Sequence, residues 1–203
     1  GRDIGFQVLG RFKLPTRLEY SVGVFNGEGM NKPEIDTNGV KDFAGRLEWK
    51  PFKWLSVAGN ASLKMFDKAN HSDVESSTAL ALGGDVVLTA AGLSLWLGGA
   101  WFQNWEPDTS DVPGWWAMGL ASYDWRIPGT KKLVLQPVLG AEVLVPTTSG
   151  SFGDQRVLAF TPGVNLLVGR SMKVLVQGRF VDPGSTSDAD KSQGLVVQWG
   201  VSL

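Results

Sequence analysis

Charged side chains recur at alternate positions along several stretches of this chain of 203 residues. Arg46, Glu48 and Lys50 follow one another at a spacing of two, as do Arg11 and Lys13, and Asp124 and Arg126. Extended backbone sends such residues to the same side, so each row forms part of one charged wall. Fixed charges on a wall do electrostatic rather than covalent chemistry: they attract, orient and discriminate dissolved ions and dipoles. Lys64, Asp85, Glu142, Lys173 and Arg179 join that side by alternation, as do Glu19 and Asp42. The wall is mixed in sign, with basic groups slightly in excess. Arg11, Arg46 and Arg179 are the expected solute contacts, because they stand away from the rims and a guanidinium offers a planar fork to carboxylate or phosphate. The same residues can also bond cross-strand neighbours and stiffen the wall.

Covalent chemistry finds little footing. His71 is the only histidine and lies in the polar stretch Asn70-His71-Ser72-Asp73. Imidazole, hydroxyl and carboxylate are all present there, but catalysis needs them held on rigid elements, and neighbours in one loop rarely meet that condition. A hydrolase built on His71 is therefore the weakest of the functions considered. The chain has no Cys, which excludes disulfides and thiolate metal sites. Metal-ligand spacings, phosphate-binding glycine loops and nucleophile elbows are missing, so no cofactor is expected. A net charge of -1 without a basic stripe gives no footing for nucleic acid.

The elements that must position the charged wall repeat one grammar. Ile4, Phe6, Val8 and Phe12 alternate with Gln7, Leu9, Arg11 and Lys13; Leu18, Tyr20, Val22 and Val24 alternate with Glu19, Ser21 and Gly23. Phe43, Leu47 and Trp49 oppose Arg46 and Glu48, and Leu55, Val57 and Leu63 oppose Ser56, Asn60 and Lys64. The last residues, Leu195, Val197, Trp199, Val201 and Leu203, keep the period to the carboxyl terminus. A period of two predicts strands with one apolar and one polar face. Val86 to Trp105 carries no charge over roughly a bilayer-spanning helical length. Ala90-Ala91-Gly92 nevertheless predicts a turn there, with Leu93, Leu95 and Leu97 alternating against Ser94, Trp96 and Gly98. Pro137 falls inside a strand, where its missing donor predicts a bulge or bend.

Connections alternate in length. Short ones fall near residues 15–17, 51–53, 90–92, 128–131 and 169–171, and long polar ones near 26–39, 67–76, 105–113, 146–155 and 182–192. Together with the alternation, this predicts an all-β, antiparallel, transmembrane up-and-down barrel of the bacterial outer membrane, with short periplasmic turns and a periplasmic carboxyl terminus. Trp49 and Trp54, then Tyr123 and Trp125, flank short turns, while Trp101, Trp105, Trp115 and Trp116 bracket a long connection. With Trp199 these aromatics are expected in two interfacial girdles. About eleven strands are visible, an odd number for a single-chain bacterial barrel. The preferred explanation is that residues 1–203 are one barrel domain lacking amino-terminal strands; a merged or missed strand is the alternative.

Arg2-Asp-Ile-Gly-Phe-Gln-Val-Leu-Gly10, Leu18-Glu-Tyr-Ser-Val-Gly-Val-Phe-Asn-Gly27, Asp42-Phe-Ala-Gly-Arg-Leu-Glu-Trp-Lys-Pro51, Leu135-Gln-Pro137 and Gly163-Val-Asn-Leu-Leu-Val-Gly-Arg-Ser-Met-Lys-Val174 resemble, in order, segments of the phosphate-selective porin O/P family. The resemblance covers essentially the whole chain and corresponds to the family's carboxyl-terminal two-thirds. It implies a sixteen-stranded, usually trimeric barrel whose pore wall carries rows of Arg and Lys. The expected activity is passive diffusion of small hydrophilic or anionic solutes through a water-filled lumen, with outer-membrane lipid and lipopolysaccharide around the barrel. The mixed wall argues for weak rather than strong phosphate preference. A small closed barrel with a structural or surface-interaction role is the alternative.

Overall fold

The computed structural model describes residues 5–26, 41–65, 78–103, 113–130, 132–146, 157–169, 172–182 and 192–201. They form one antiparallel sheet from β1 (Gly5–Lys13), β2 (Arg17–Phe25), β3 (Asp42–Phe52), β4 (Leu55–Met65), β5 (Thr78–Ala90), β6 (Leu93–Gln103), β7 (Pro113–Tyr123), β8 (Trp125–Arg126), β9 (Leu133–Pro146), β10 (Val157–Val168), β11 (Met172–Asp182) and β12 (Ser192–Val201). Every strand pairs with its neighbours in sequence, except that β8 lies off the path and pairs β9. β8 is in effect the end of the β7 strand, so the up-and-down path runs over eleven strands, as the alternation predicts. Among the described residues no ladder joins β1 to β12, and the sheet is open at both.

Turn chemistry fixes the hairpins. Ala91 and Gly92 both have positive φ (49° and 85°), and Ala90 pairs directly with Leu93. That is the two-residue geometry that follows the right-handed twist of a hairpin, so Val86 to Gln103 forms two strands and not a helix. Neighbouring short turns are also stitched to one another. Thr89 N donates to Trp54 O at 2.8 Å, Asp124 N to Gly92 O at 2.8 Å, and Gly169 N to Lys132 O at 2.6 Å.

Prolines mark the places where the ladders fail. Pro137 pairs with Val164 of β10, but β7 stops pairing at Ser122↔Val138 and β8 resumes at Trp125↔Leu135. The missing N–H thus produces a gap without a change of register, rather than a bulge. Side chains bridge that gap: Asn165 Nδ2 donates to Gln136 Oε1 at 2.6 Å, and Gln136 Nε2 to Asp124 Oδ1 at 2.7 Å. Pro162 leaves a similar gap between β10 and β11. Near Pro51 the β3–β4 register does shift, between Trp49 and Phe52, and the turn itself moves to Lys53–Trp54.

Burial is inverted relative to a water-soluble domain. Among the described residues no large side chain is fully buried; the buried side chains are those of Ala58, Ala79, Val138 and Ala159, with Ser56, Asp85 and Asn165. All of these lie on the polar face. The opposite face exposes Val22, Leu47, Val57, Leu82, Leu97, Leu139, Val164 and Val176, one strand after another. Burying a side chain of this size is worth about 1.5–3 kcal/mol, so a face of them left in water would forfeit many such terms. An apolar surface of this extent is far beyond the patches that monomeric soluble proteins tolerate.

Candidate functional site

The polar face gathers the charged residues singled out by spacing. The ladder registers place Arg11, Arg46, Glu48, Lys50, Lys64, Asp85, Arg126, Glu142, Lys173 and Arg179 on one side of the sheet. Lys13 shares that side by its backbone position in β1; its side chain lies outside the described residues, as do His71 and Trp105.

At the centre Arg46 reaches from β3 across β4 to β5. Its Nη1 donates to Asp85 Oδ2 at 2.6 Å and its Nη2 to Asp85 Oδ1 at 3.0 Å, a bidentate pair. Nη1 also donates to Asn60 Oδ1 at 2.8 Å, and Asn60 Nδ2 lies 3.4 Å from Asp85 Oδ2. Three strands are thereby clamped by side chains. The Asp85 carboxylate is only 8% exposed, so without these donors its desolvation would be costly.

Toward the short turns a second cluster gathers on Glu19. Arg11 Nε donates to its Oε1 at 2.6 Å, Arg17 Nη2 to the same oxygen at 2.7 Å, and Lys50 Nζ to Oε2 at 3.2 Å. Lys50 Nζ also stands 2.9 Å from Glu48 Oε1, which accepts from Ser56 Oγ at 2.6 Å. On the far strands Glu142 accepts from Trp116 Nε1 at 2.7 Å and lies 3.4 Å from Arg179 Nη2. The expected solute contacts Arg11, Arg46 and Arg179 are therefore each engaged by a carboxylate of the wall. Arg126 and Lys173 have no ion pair among the described residues and stand beside the short turns.

Charge is divided between the two ends of the sheet. Around the short turns Arg11, Arg17, Lys50, Lys53, Arg126, Lys132 and Lys173 outnumber Glu19, Glu48 and Asp124. The long connections at the other end read acidic in sequence, with Glu28, Glu34, Asp36, Asp67, Asp73, Glu75, Glu106, Asp108 and Asp111 against Lys32 and Lys68 in the first three of them. The basic excess around the short turns makes that end of the described sheet electropositive, which residue spacing alone did not reveal.

Aromatic residues bound the apolar face at two levels. Trp49, Tyr123 and Trp125 lie toward the short turns with Phe12, and Trp101 and Trp115 toward the long connections with Phe6, Phe43 and Phe160. Trp49 Nε1 donates to Thr16 Oγ1 at 3.0 Å, and Trp54 in the next turn stacks on Phe52 with centroids 5.1 Å apart. Trp199 pairs with Val174, on the apolar side by backbone register. Trp115 and Tyr123 are separated by about 26 Å of extended chain, which strand tilt reduces to somewhat less than the roughly 25 Å band of an outer-membrane barrel. Trp116 departs from the girdle expected of it: as the neighbour of Trp115 in a strand it projects to the polar face, where Glu142 holds its indole. Trp96 lies on that face too, its ring centroid 6.3 Å from that of Trp116.

No protein family, curated protein or solved structure matches this chain.

Proposed function

We propose that this chain forms the wall of an outer-membrane β-barrel and that its polar face lines a water-filled channel for passive diffusion of small hydrophilic solutes. The observation that carries the reading is the inversion of burial among the described side chains: large apolar ones are exposed on one face of β1 to β11, and the buried ones on the other face are small or polar. Lipid is the solvent that makes the first face favourable, and water the one that makes the second favourable. The two aromatic levels fit the interfaces of such a layer. Short turns at one end and long connections at the other support a periplasmic and an outer side, and on this reading the end of β12 faces the periplasm. Since hydrocarbon offers no partner for backbone N–H and C=O groups, β1 and β12 must be paired in the membrane, with each other or with further strands.

Ion preference follows from the charge layout. The carboxylates of the mid-wall neutralise most of its arginines, so an arginine ladder of the kind associated with strong phosphate selection is largely quenched here. The basic short-turn mouth leaves a weak preference for anions. Single-channel recording in a planar bilayer under a salt gradient tests both statements. Discrete conductance steps with a small anion-directed reversal potential are expected, and the triple change Lys53→Glu, Lys132→Glu and Lys173→Glu is expected to bring that potential to zero or reverse it. Silence from a chain shown to be folded by heat-modifiable gel mobility would replace the channel by a closed barrel of structural role. An unchanged potential in the triple variant would remove the basic mouth as the selecting element.

A further inference from the structure

We infer that the polar face carries a subsite for a neutral sugar ring, in the hollow bounded by Arg46, Asp85, Trp96 and Trp116; the inference rests on the channel reading and names a solute class for it. The hollow has a volume of about 340 Å³, near the lower end of small-molecule sites, which run from about 300 to 1,000 Å³. That is room for a mono- or disaccharide.

Its floor is almost bare backbone. Gly83, Gly98 and Ala100 line it, and the Trp96 ring is laid over Gly98, where an added Cβ would stand 2.9 Å from ring atom Cζ2. The indole therefore folds back along its own strand over Gly98 and lines the hollow there. The Trp116 ring, tilted 51° to it, forms the second side of a wedge and is held by its bond to Glu142. Rigid indole faces are what the C–H face of a pyranose packs against, with little entropy lost by the protein.

The charges in the hollow decide against an anion. Both terminal nitrogens of Arg46 are spent on Asp85 and Asn60, and the pair is neutral as a unit. A phosphate entering here would have to compete with a bidentate carboxylate already in place. A polyol faces no such competition, because its hydroxyls can bond Ser21 and Gln7 on the opposite side of the hollow and leave the pair intact. Fixed charges of both signs also orient a dipolar solute without retaining it, which passage requires.

Maltose is the probe, with inorganic phosphate as competitor. Saturation-transfer NMR on the detergent-folded chain is expected to show transfer to the maltose ring protons that phosphate does not displace. In the bilayer, maltose is expected to lower the ion current saturably. Gly98→Ala, which lifts the Trp96 ring from its seat, is expected to raise the half-blocking concentration about tenfold, the loss of one good ring contact. Trp96→Leu provides a second variant that removes the platform without crowding the strand, and heat-modifiable mobility reports folding of both. Absent transfer to maltose in the native chain, or equal binding by folded Trp96→Leu, would overturn the subsite. Transfer that persists while the bilayer stays silent would overturn the channel and leave the sugar site standing.

Discussion

Leu47→Arg is expected to destabilise the folded chain in a lipid bilayer by about 2–4 kcal/mol, the cost of a cation on the lipid face near the midplane. Leu47 lies at the middle of β3 between the two aromatic levels, and 52% of its surface is exposed. In a water-soluble sheet so exposed a leucine would accept arginine within about 0.5 kcal/mol. The two solvents thus predict outcomes several-fold apart for one substitution. Depth gives a further check, because Tyr123→Arg stands at the rim and is expected to cost only about 0–1 kcal/mol. Reversible denaturant unfolding into phospholipid vesicles, followed by tryptophan fluorescence, measures both. Equal and small costs at Leu47 and Tyr123 would mean that the apolar face meets water or protein rather than lipid.

The strands were legible because one face carries apolar and the other small or polar side chains, and a period of two records that difference in every segment. Leu93, Leu95 and Leu97 alternating with Ser94, Trp96 and Gly98 were enough to prefer a hairpin over a helix, and Ala91-Gly92 supplied the turn. Register within hairpins was equally accessible, since a short turn leaves little choice of pairing. The partners of the wall charges were not. Arg46 meets Asp85 39 residues away, over a strand whose own small side chains, Ala58 and Asn60, leave the path clear. Spacing puts both residues on one face but says nothing about which of several carboxylates a long side chain will reach. The tryptophans show the same limit from another direction. Trp115 and Trp116 are neighbours of one type, and only parity against Met118 and Glu142 assigns one to each face. That parity was present in the sequence; the seat that Gly98 provides for Trp96 depends on how a ring folds back along its own strand.

Small residues connect the fold to the wall's chemistry. Ala58 and Ala159 lie on the strands that Arg46 and Arg179 cross to reach Asp85 and Glu142, and Gly98 accepts the Trp96 indole in the same way. The face is filled by charged and aromatic side chains lying along it, while its floor remains small. A wall built so can be stiff and polar while leaving space above it, which a conventional apolar core would not allow.

Breaking the central pair is expected to show which of its members the fold depends on. Arg46→Met leaves the Asp85 carboxylate, 8% exposed, with only amide and indole donors. The expected loss is about 3 kcal/mol, the low end for an orphaned buried charge, because water reaches the hollow. Asp85→Asn is expected to cost about 1 kcal/mol, since the Arg46 side chain is 37% exposed and can turn its freed nitrogens to water. In the double variant Arg46→Met/Asp85→Leu neither charge is stranded, and most of the loss should be recovered. Conductance is expected to separate the singles in the opposite order. Asp85→Asn unquenches a guanidinium in mid-wall, so the reversal potential should move toward anions and phosphate should begin to displace maltose, whereas Arg46→Met should move the potential toward cations. Unfolding in vesicles and bilayer recording on the same preparations test the two halves together. Costs that simply add in the double variant would show that Arg46 and Asp85 act independently, and an unmoved reversal potential in Asp85→Asn would show that the guanidinium does not face the conducting path.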